Sequence, residues 1–511
     1  VAGTPCEQTI VIGLRSLQET LQRIISFATR RGRISTVDAA KAAPPPSPLA
    51  PIDLTDHSQV AGVMDLAARI GDILLSSGTS NSDTKVQIRA VTSAYGLYYA
   101  HVDITLNTIT IFTNIGSEKK VPVNIFRVVG KLDTNFSKLS EVDRLIRSIQ
   151  AGATPPQVAE KILDDLEQSP ASYGFPTALL GWATMGGSVA VLLGGGWQVS
   201  LIAFLTSAII IATSAFLGKH GLPLFFQNVV GGLIATIPAA VAYSLAMHFG
   251  LEIKPSQIIA SGIVVLLAGL TLVQSLQDGI TGAPVTASAR FFETLLFTGG
   301  IVAGVGLGIQ LSGALDILLP PMETATAPNP SSILARVIAG GIAAAGFSVG
   351  CYAEWSSVVI AGLTAFMGSA FYYFVLVYAG PVSAAAVAAT AVGFTGGLLA
   401  RRFLIPPLIV AIAGITPMLP GLAIYRGMYA SLNEQTLIGF TNIAVALATA
   451  SALAAGVVLG EWIARRLRRP PRFNPYRAFT KANAFSFQDI QPKPRRQRRR
   501  MKNNLYNQPR S

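Results

Sequence analysis

The sequence predicts a polytopic α-helical membrane protein. About ten transmembrane helices form two five-helix inverted repeats, preceded by a small cytosolic α+β domain. Three observations carry this. Of 511 residues, 51% are hydrophobic and only 13% charged, where a soluble domain has about 25% charged residues. The deficit is local, because residues 175–460 hold 14 charged residues in 286 positions. That stretch also divides into runs near the ~20 apolar residues that cross a bilayer. Finally, short motifs recur in the same order in its two halves.

The elements follow in chain order. Leu14, Leu17, Leu21 and Ile24 recur at helical spacing, interrupted by Arg15, Gln18, Glu19, Gln22 and Arg23. A secretory signal needs an unbroken apolar run, so this reads as an amphipathic surface helix or a poorly ordered extension. The chain opens at Val1 and its first methionine is Met64, so the initiator was removed, translation starts at another codon, or the true start lies further in. Ala42–Pro51 (AAPPPSPLAP) favours an extended linker. Residues 1–51 are therefore assigned to an extension and linker.

Residues 52–172 form the predicted α+β domain. Val60, Val63, Met64, Ala67, Ile70, Ile73 and Leu74 share one helical face. Ser76–Asp83 breaks that helix, and Val86–Tyr95 resumes a helical pattern. Tyr98–Leu106 and Ile109–Thr113 read as a hairpin joined at Asn107-Thr108, and Val121–Val129 as a further strand. Leu139–Ile149 and Pro155–Glu167 read as helices, the latter opened by Thr154.

Ten spans follow, at 175–193, 197–217, 229–249, 257–276 and 295–319, then 333–351, 355–377, 382–400, 404–424 and 438–460. The halves are bounded as 173–319 and 320–460, with a basic tail at 461–511. Short loops on the N-terminal domain's side carry Lys219, Arg290, Arg401 and Arg402, then Arg465, Arg466, Arg468 and Arg469; the opposite loops carry Lys254 and Arg426. Basic loops stay in the cytoplasm, so both termini are placed there, in a multi-pass protein of the plasma (inner) membrane.

The repeat rests on three matches. Trp197-x4-Ile202-Ala203-x-Leu205-Thr206 recurs from Trp355 to Thr364, Gly231-Gly232-Leu233-x-Ala235 recurs as Gly396-Gly397-Leu398-x-Ala400, and Ala268-Gly269-Leu270-Thr271 recurs as Ala413-Gly414-Ile415-Thr416. Five helices per half is an odd number, which inverts the second half. Many secondary transporters share that plan and bind substrate near the midplane, where helices break.

In span 4, Thr271, Gln274 and Asp278 lie on one helical face. Gln277 and Thr281 extend the polar character. Gly279, Gly282 and Pro284 suggest unwinding after Asp278, and Arg290 and Glu293 follow. Either this is a polar substrate face with a titratable acid, or it is a helix end with a solvated carboxylate. In span 9, Thr416-Pro417-Met418-Leu419-Pro420 places two prolines in an apolar helix. Each removes a backbone donor, and freed carbonyls in a membrane need protein or cavity water. Thr271, Gln274, Gln277, Thr281, Thr416, Pro417 and Pro420 are thus the candidate substrate-binding residues. Asp278, Arg290 and Glu293 are the candidates for proton coupling. Pro238, Asp316, Arg336 and Glu354 are secondary candidates.

Other chemistries lack their signatures. Two cysteines, Cys6 and Cys351, and four scattered histidines offer no metal-ligand spacing. No metal, cofactor or catalytic residue is expected. There is no Walker motif for ATP-driven pumping and no G-x-S-x-G elbow. The net charge of +13 is carried by residues 461–511, with 15 Lys/Arg against 2 Asp/Glu. Such a tail predicts contact with anionic lipids through Arg465, Arg466, Arg468 and Arg469, and no specific nucleic-acid partner.

IGDILLSSGTSNSDTK (Ile70–Lys85), GLTLVQSLQDGITGAPVTASARFFET (Gly269–Thr294) and AGITPMLPGLAIYRGMY (Ala413–Tyr429) resemble the threonine/serine exporter family, close to its corynebacterial members. The resemblance begins near Ser26. It implies antiport export of L-threonine and L-serine driven by the proton motive force, with no enzymatic activity. Many relatives carry a basic–x–acidic triplet where this chain has Asp83-Thr84-Lys85. The alternatives are a membrane-anchored hydrolase acting through residues 52–172 and, more weakly, a channel. The sequence is silent on self-association, so a homo-oligomer stays open.

Overall fold

The computed structural model describes residues 52–115, 121–130, 135–152, 154–249, 253–266, 268–317, 319, 333–432 and 435–467. The N-terminal extension, the Pro-rich linker and most of the tail, including Arg468 and Arg469, lie outside the described residues.

The chain begins with α1 (His57–Ser76), capped by Asp56, and α2 (Asn81–Ala94). The break between them is shorter than the sequence suggests. Ser80 accepts a hydrogen bond from the Asp83 amide at 3.2 Å, and this N-cap starts the helix five residues before Val86. Strands β1 (His101–Thr105), β2 (Thr108–Ile115) and β3 (Val121–Val128) form an antiparallel sheet in that order. Thr105 pairs with Thr108, so the turn is Leu106-Asn107, one residue earlier than expected. Alternation buries Val102, Ile104, Ile109, Ile111 and Val123 on one face. Helices α3 (Phe136–Gln150) and α4 (Pro156–Gln168) complete this unit. The Tyr95 hydroxyl donates to the Thr154 carbonyl at 3.0 Å, and burial pushes that phenol above its ordinary range.

The apolar helices follow as α5 (Phe175–Leu192), α6 (Trp197–Lys219), α7 (Leu224–His248), α8 (Pro255–Val265), α9 (Ala268–Ile280) and α10 (Pro284–Ala314). Then come α11 (Ile333–Gly350), α12 (Trp355–Phe403), α13 (Pro407–Ile415), a 3-10 turn (Thr416–Met418), α14 (Gly421–Leu432) and α15 (Thr436–Leu467). Among the described residues, seven helices are long and apolar enough to cross a membrane. Two pairs, α8 with α9 and α13 with α14, each bent by 47°, raise that to nine. Helix α12 is broken at Gly380 (φ 77°), just before Pro381. At 1.5 Å per residue its unbroken length would be about 70 Å, more than twice a ~30 Å hydrocarbon core.

Two expectations are corrected here. Helix α9 does not unwind after Asp278. It continues to Ile280 and turns at Gly282 (φ 95°), and its break lies before Gly269. Arg290 and Glu293 are not in a loop either, because Pro284 opens α10 eleven residues before the expected span.

Small residues set the close contacts. A Cβ at Gly186 in α5 would strike Ser207 of α6, and one at Gly340 in α11 would strike Ser369 of α12. One added at Gly187 or Gly341 would lie 3.2 Å from the Cβ of Phe204 or Phe366, respectively. The N-terminal unit docks on the α11–α12 corner. Phe136 donates its amide to the Cys351 carbonyl at 2.9 Å, its ring meets Phe347 edge-on at 6.0 Å, and Arg144 pairs with Glu354. One apolar cluster therefore runs from Met64 and Ile109 through to Phe347 and Ala413.

Candidate functional site

Asp278 sits near the end of α9 and is 1% exposed. Arg290, three turns away through the α9–α10 corner, donates Nη1 to its Oδ2 at 2.8 Å. The backbone amide of Asn81, the first residue of α2, approaches Oδ1 at 3.4 Å. A helix N-terminus offers such amides to an anion. The Asn81 side chain donates to Thr286 Oγ1 at 2.8 Å, and the Leu106 amide donates to the same oxygen at 3.1 Å. The carboxylate is thus held from two other elements, α10 and α2. Buried charges persist when paired and hydrogen-bonded in this way.

The rest of the polar face continues along α9. Thr294 donates to Thr271 Oγ1 at 2.9 Å. Gln274 lies under Gly78 (φ 89°), where an added Cβ would come within 3.1 Å of its Nε2. Gln277 lines a cavity shared with α2. Thr281 donates to the Gln277 carbonyl at 2.9 Å and closes the helix end. Glu293 is half-buried and outside the Asp278–Arg290 pair.

The second break touches the first. A Cβ on Gly269 would lie 2.8 Å from the Gly421 amide nitrogen and 3.3 Å from Leu419 Cβ. Thr416 is buried, but its hydroxyl donates to the Ile412 carbonyl at 2.9 Å. Pro417 rests beside Gly340, and the Pro420 carbonyl accepts from Ile424 at 3.1 Å. The structure therefore gathers Thr271, Gln274, Gln277, Asp278, Thr281 and Arg290 on one corner. It leaves Thr416, Pro417 and Pro420 as the frame of the adjoining break.

Arg465 has acidic neighbours within the protein. Its Nη2 lies 3.0 Å from Glu461, one turn earlier on α15, and 3.8 Å from Asp83 of α2, so it faces the N-terminal unit. Arg466 lies over the Trp462 ring at 5.0 Å. The departure at Asp83-Thr84-Lys85 also has a place. Asp83 faces Arg465, and Lys85 reaches Asp103 at 3.1 Å, where its hydrogen bond holds that carboxyl below the usual range. Arg336, a secondary candidate, is buried beside Gly194 and forms no ion pair among the described residues.

Sequence reasoning missed Asn81 and Thr286. The Ser80-x-x-Asp83 spacing signals the cap that positions Asn81. Nothing local points from either residue to Asp278.

Seven to nine candidate spans among the described residues define a multi-pass helical membrane protein, and the family comparisons place it in the transporter class. A family described as "Putative threonine/serine exporter" matches residues 65–312, and a second, "Threonine/Serine exporter, ThrE", matches residues 336–463. A threonine/serine exporter of Corynebacterium glutamicum is 86% identical over 482 residues, covering 94% of this chain and 99% of that protein. A protein of Mycobacterium tuberculosis (strain ATCC 25618 / H37Rv), named "Probable threonine/serine exporter", is 39% identical over 424 residues, covering 81% and 78% respectively. No solved structure matches the chain. The chain belongs to the threonine/serine exporter family, whose members are transporters and not enzymes.

Proposed function

We propose that the protein exports L-threonine and L-serine across the plasma membrane by secondary antiport against protons, alternating access between two inverted five-helix halves. The observation that carries this is the Asp278–Arg290 pair on the polar face of α9, the helix that follows the first break. Broken helices expose amides and carbonyls that suit a zwitterion. Thr271, Gln274, Gln277 and Thr281 add side-chain partners, and Thr416, Pro417 and Pro420 form the adjoining break. Asp278 alternates between a proton and the substrate ammonium, with Arg290 as its resting partner and Glu293 as a second acid nearby.

Several features support the two-half arrangement. The family matches divide between residues 312 and 336. The bent pair is fourth in each half when α12 counts as two crossings, which makes ten. The Gly-Gly contacts of α5 with α6 and of α11 with α12 have the same form, and the hydroxyls of Ser207 and Ser369 are both buried without a partner. An even count brings both termini to one side, and the loop arginines favour the cytoplasm. Residues 52–172 then form a cytosolic domain, and the tail meets anionic lipid through Arg466, Arg468 and Arg469. At the opposite end, Arg336 is placed to receive the substrate carboxylate during release.

Counterflow of labelled L-threonine in proteoliposomes tests this. The label should accumulate, saturate with concentration and respond to an imposed pH gradient. Absence of threonine exchange by well-inserted protein would sink the reading.

A further inference from the structure

A cavity with about 50 Å³ of free volume lies where α2 meets α13 and α15, on the N-terminal unit's side of Gln277. Gln87 lines it from α2. This side chain is 6% exposed, and its Oε1 has no hydrogen-bond partner. Buried acceptors are nearly always satisfied, so an orphan facing a cavity marks a place for a donor. Asp83 precedes Gln87 by one turn on the same helical face. It lies 3.8 Å from Arg465, which lies 3.0 Å from Glu461. Leu74 and Leu139 supply an apolar wall.

The lining therefore offers carboxylates for an ammonium, a guanidinium for a carboxylate, a buried acceptor for a hydroxyl and a surface for a methyl group. Its size is restrictive. A water needs roughly 10–15 Å³ of such volume, so the space holds about three to five waters, near the bulk of a serine or threonine. The Asp83–Arg465 separation is the loosest contact in the cluster, and a zwitterion can enter there with each charge finding its opposite.

We infer that this junction cavity is a second amino-acid site, a loading site for a small zwitterionic hydroxy amino acid, in which Gln87 accepts the substrate hydroxyl. The ligand class rests on the exporter reading. The site differs from the face around Thr271 and Asp278 in its lining, since Asp83, Gln87, Glu461 and Arg465 line it and of that face only Gln277 is shared. Substrate held here lies next to Gln277, from which the polar face of α9 leads to the helix break. This gives the N-terminal unit a direct part in recognition.

Equilibrium dialysis of labelled L-threonine with the full-length protein in detergent tests the site, with L-2-aminobutyrate, which lacks the hydroxyl, as competitor. The wild type should bind about two threonines per chain and Gln87→Leu about one. The preference for threonine over 2-aminobutyrate at the junction site should fall about tenfold or more, because a site built for a hydroxyl rejects the analogue without it. Removing an orphan acceptor should leave the melting temperature unchanged or higher, whereas a merely structural glutamine would lower it. Gln87→Glu keeps an acceptor and should restore the second equivalent. Should Gln87→Leu fail to fold, Gln87→Asn withdraws the acceptor by one methylene and is read in the same way. Unchanged stoichiometry and preference in these variants would overturn the loading site. If the wild type still exchanges threonine in counterflow, the exporter reading survives that result. A wild type that neither binds nor exchanges threonine overturns both.

Discussion

The two bent helix pairs share an angle of 47° and differ in almost everything else. The α8–α9 break leads into a helix whose acid is held by Arg290 of α10 and by Asn81 of α2. The α13–α14 break is satisfied from within. Thr416 donates to its own helix, and the Leu419 amide donates to the Thr416 carbonyl at 3.4 Å. Its prolines fix the bend by removing donors. A bend alone therefore does not make a functional site. The α8–α9 pair carries a charge whose partners come from other elements. The α13–α14 pair makes the hydrogen bonds of its break within itself.

The largest expected effect of a single substitution falls on the charged half. Arg290→Met leaves a buried carboxylate without its guanidinium, and breaking such a pair costs about 3–5 kcal/mol. Thermal unfolding in detergent should show a large loss, mostly recovered in Asp278→Asn/Arg290→Met. A single variant as stable as wild type would mean that Arg290 does not hold Asp278. The contact between the breaks is also asymmetric. Gly269→Ala places a methyl group 2.8 Å from backbone nitrogen, whereas Gly421→Ala meets nothing nearer than 3.6 Å. Overpacking should cost Gly269→Ala about 1–3 kcal/mol, and Gly421→Ala should be close to neutral. Equal costs would place the breaks farther apart than described.

Smaller effects separate the halves by transport. Thr271→Val should raise the apparent KM for threonine several-fold. Thr416→Val should change it less than twofold, because that hydroxyl bonds its own helix and lies off the polar face of α9; the reverse order would move the substrate to the second break. The smallest effect concerns Lys85. Its bond to Asp103 lowers that carboxyl's pKa, so the pair stabilises the fold above the unfolded value of about 3.9. That contribution fades as pH falls through the lower folded value. Lys85→Gln should be slightly less stable at neutral pH and match wild type in strong acid. A deficit that persists in acid would assign Lys85 a different role.

Much of this contrast can be read along the chain. The spans appear because lipid demands long apolar runs, and the second break appears because Pro417 and Pro420 are local signals. The first break does not, since Leu266 to Gly269 contains neither proline nor charge. Glycine and Pro284 after Asp278 suggested unwinding, yet they form the corner between α9 and α10. Asp278 and Arg290 are twelve residues apart and could be linked by eye. Asn81 and Thr286 are 205 apart, and only tertiary packing joins them. The approach of Arg465 to Asp83 of α2 is likewise invisible along the chain, where a basic run after a last span points only to lipid.

The central claim is that Asp278, near the end of α9, couples protons to substrate. Asp278→Asn in proteoliposomes tests it most directly, through gradient-driven accumulation and threonine exchange measured side by side. Asparagine keeps one acceptor oxygen, which can face Arg290 in place of Oδ2, so exchange should persist and show that the protein is folded, while uphill accumulation driven by a pH gradient should be lost. Uphill accumulation at the wild-type rate would contradict the claim and turn attention to Glu293 or Glu354.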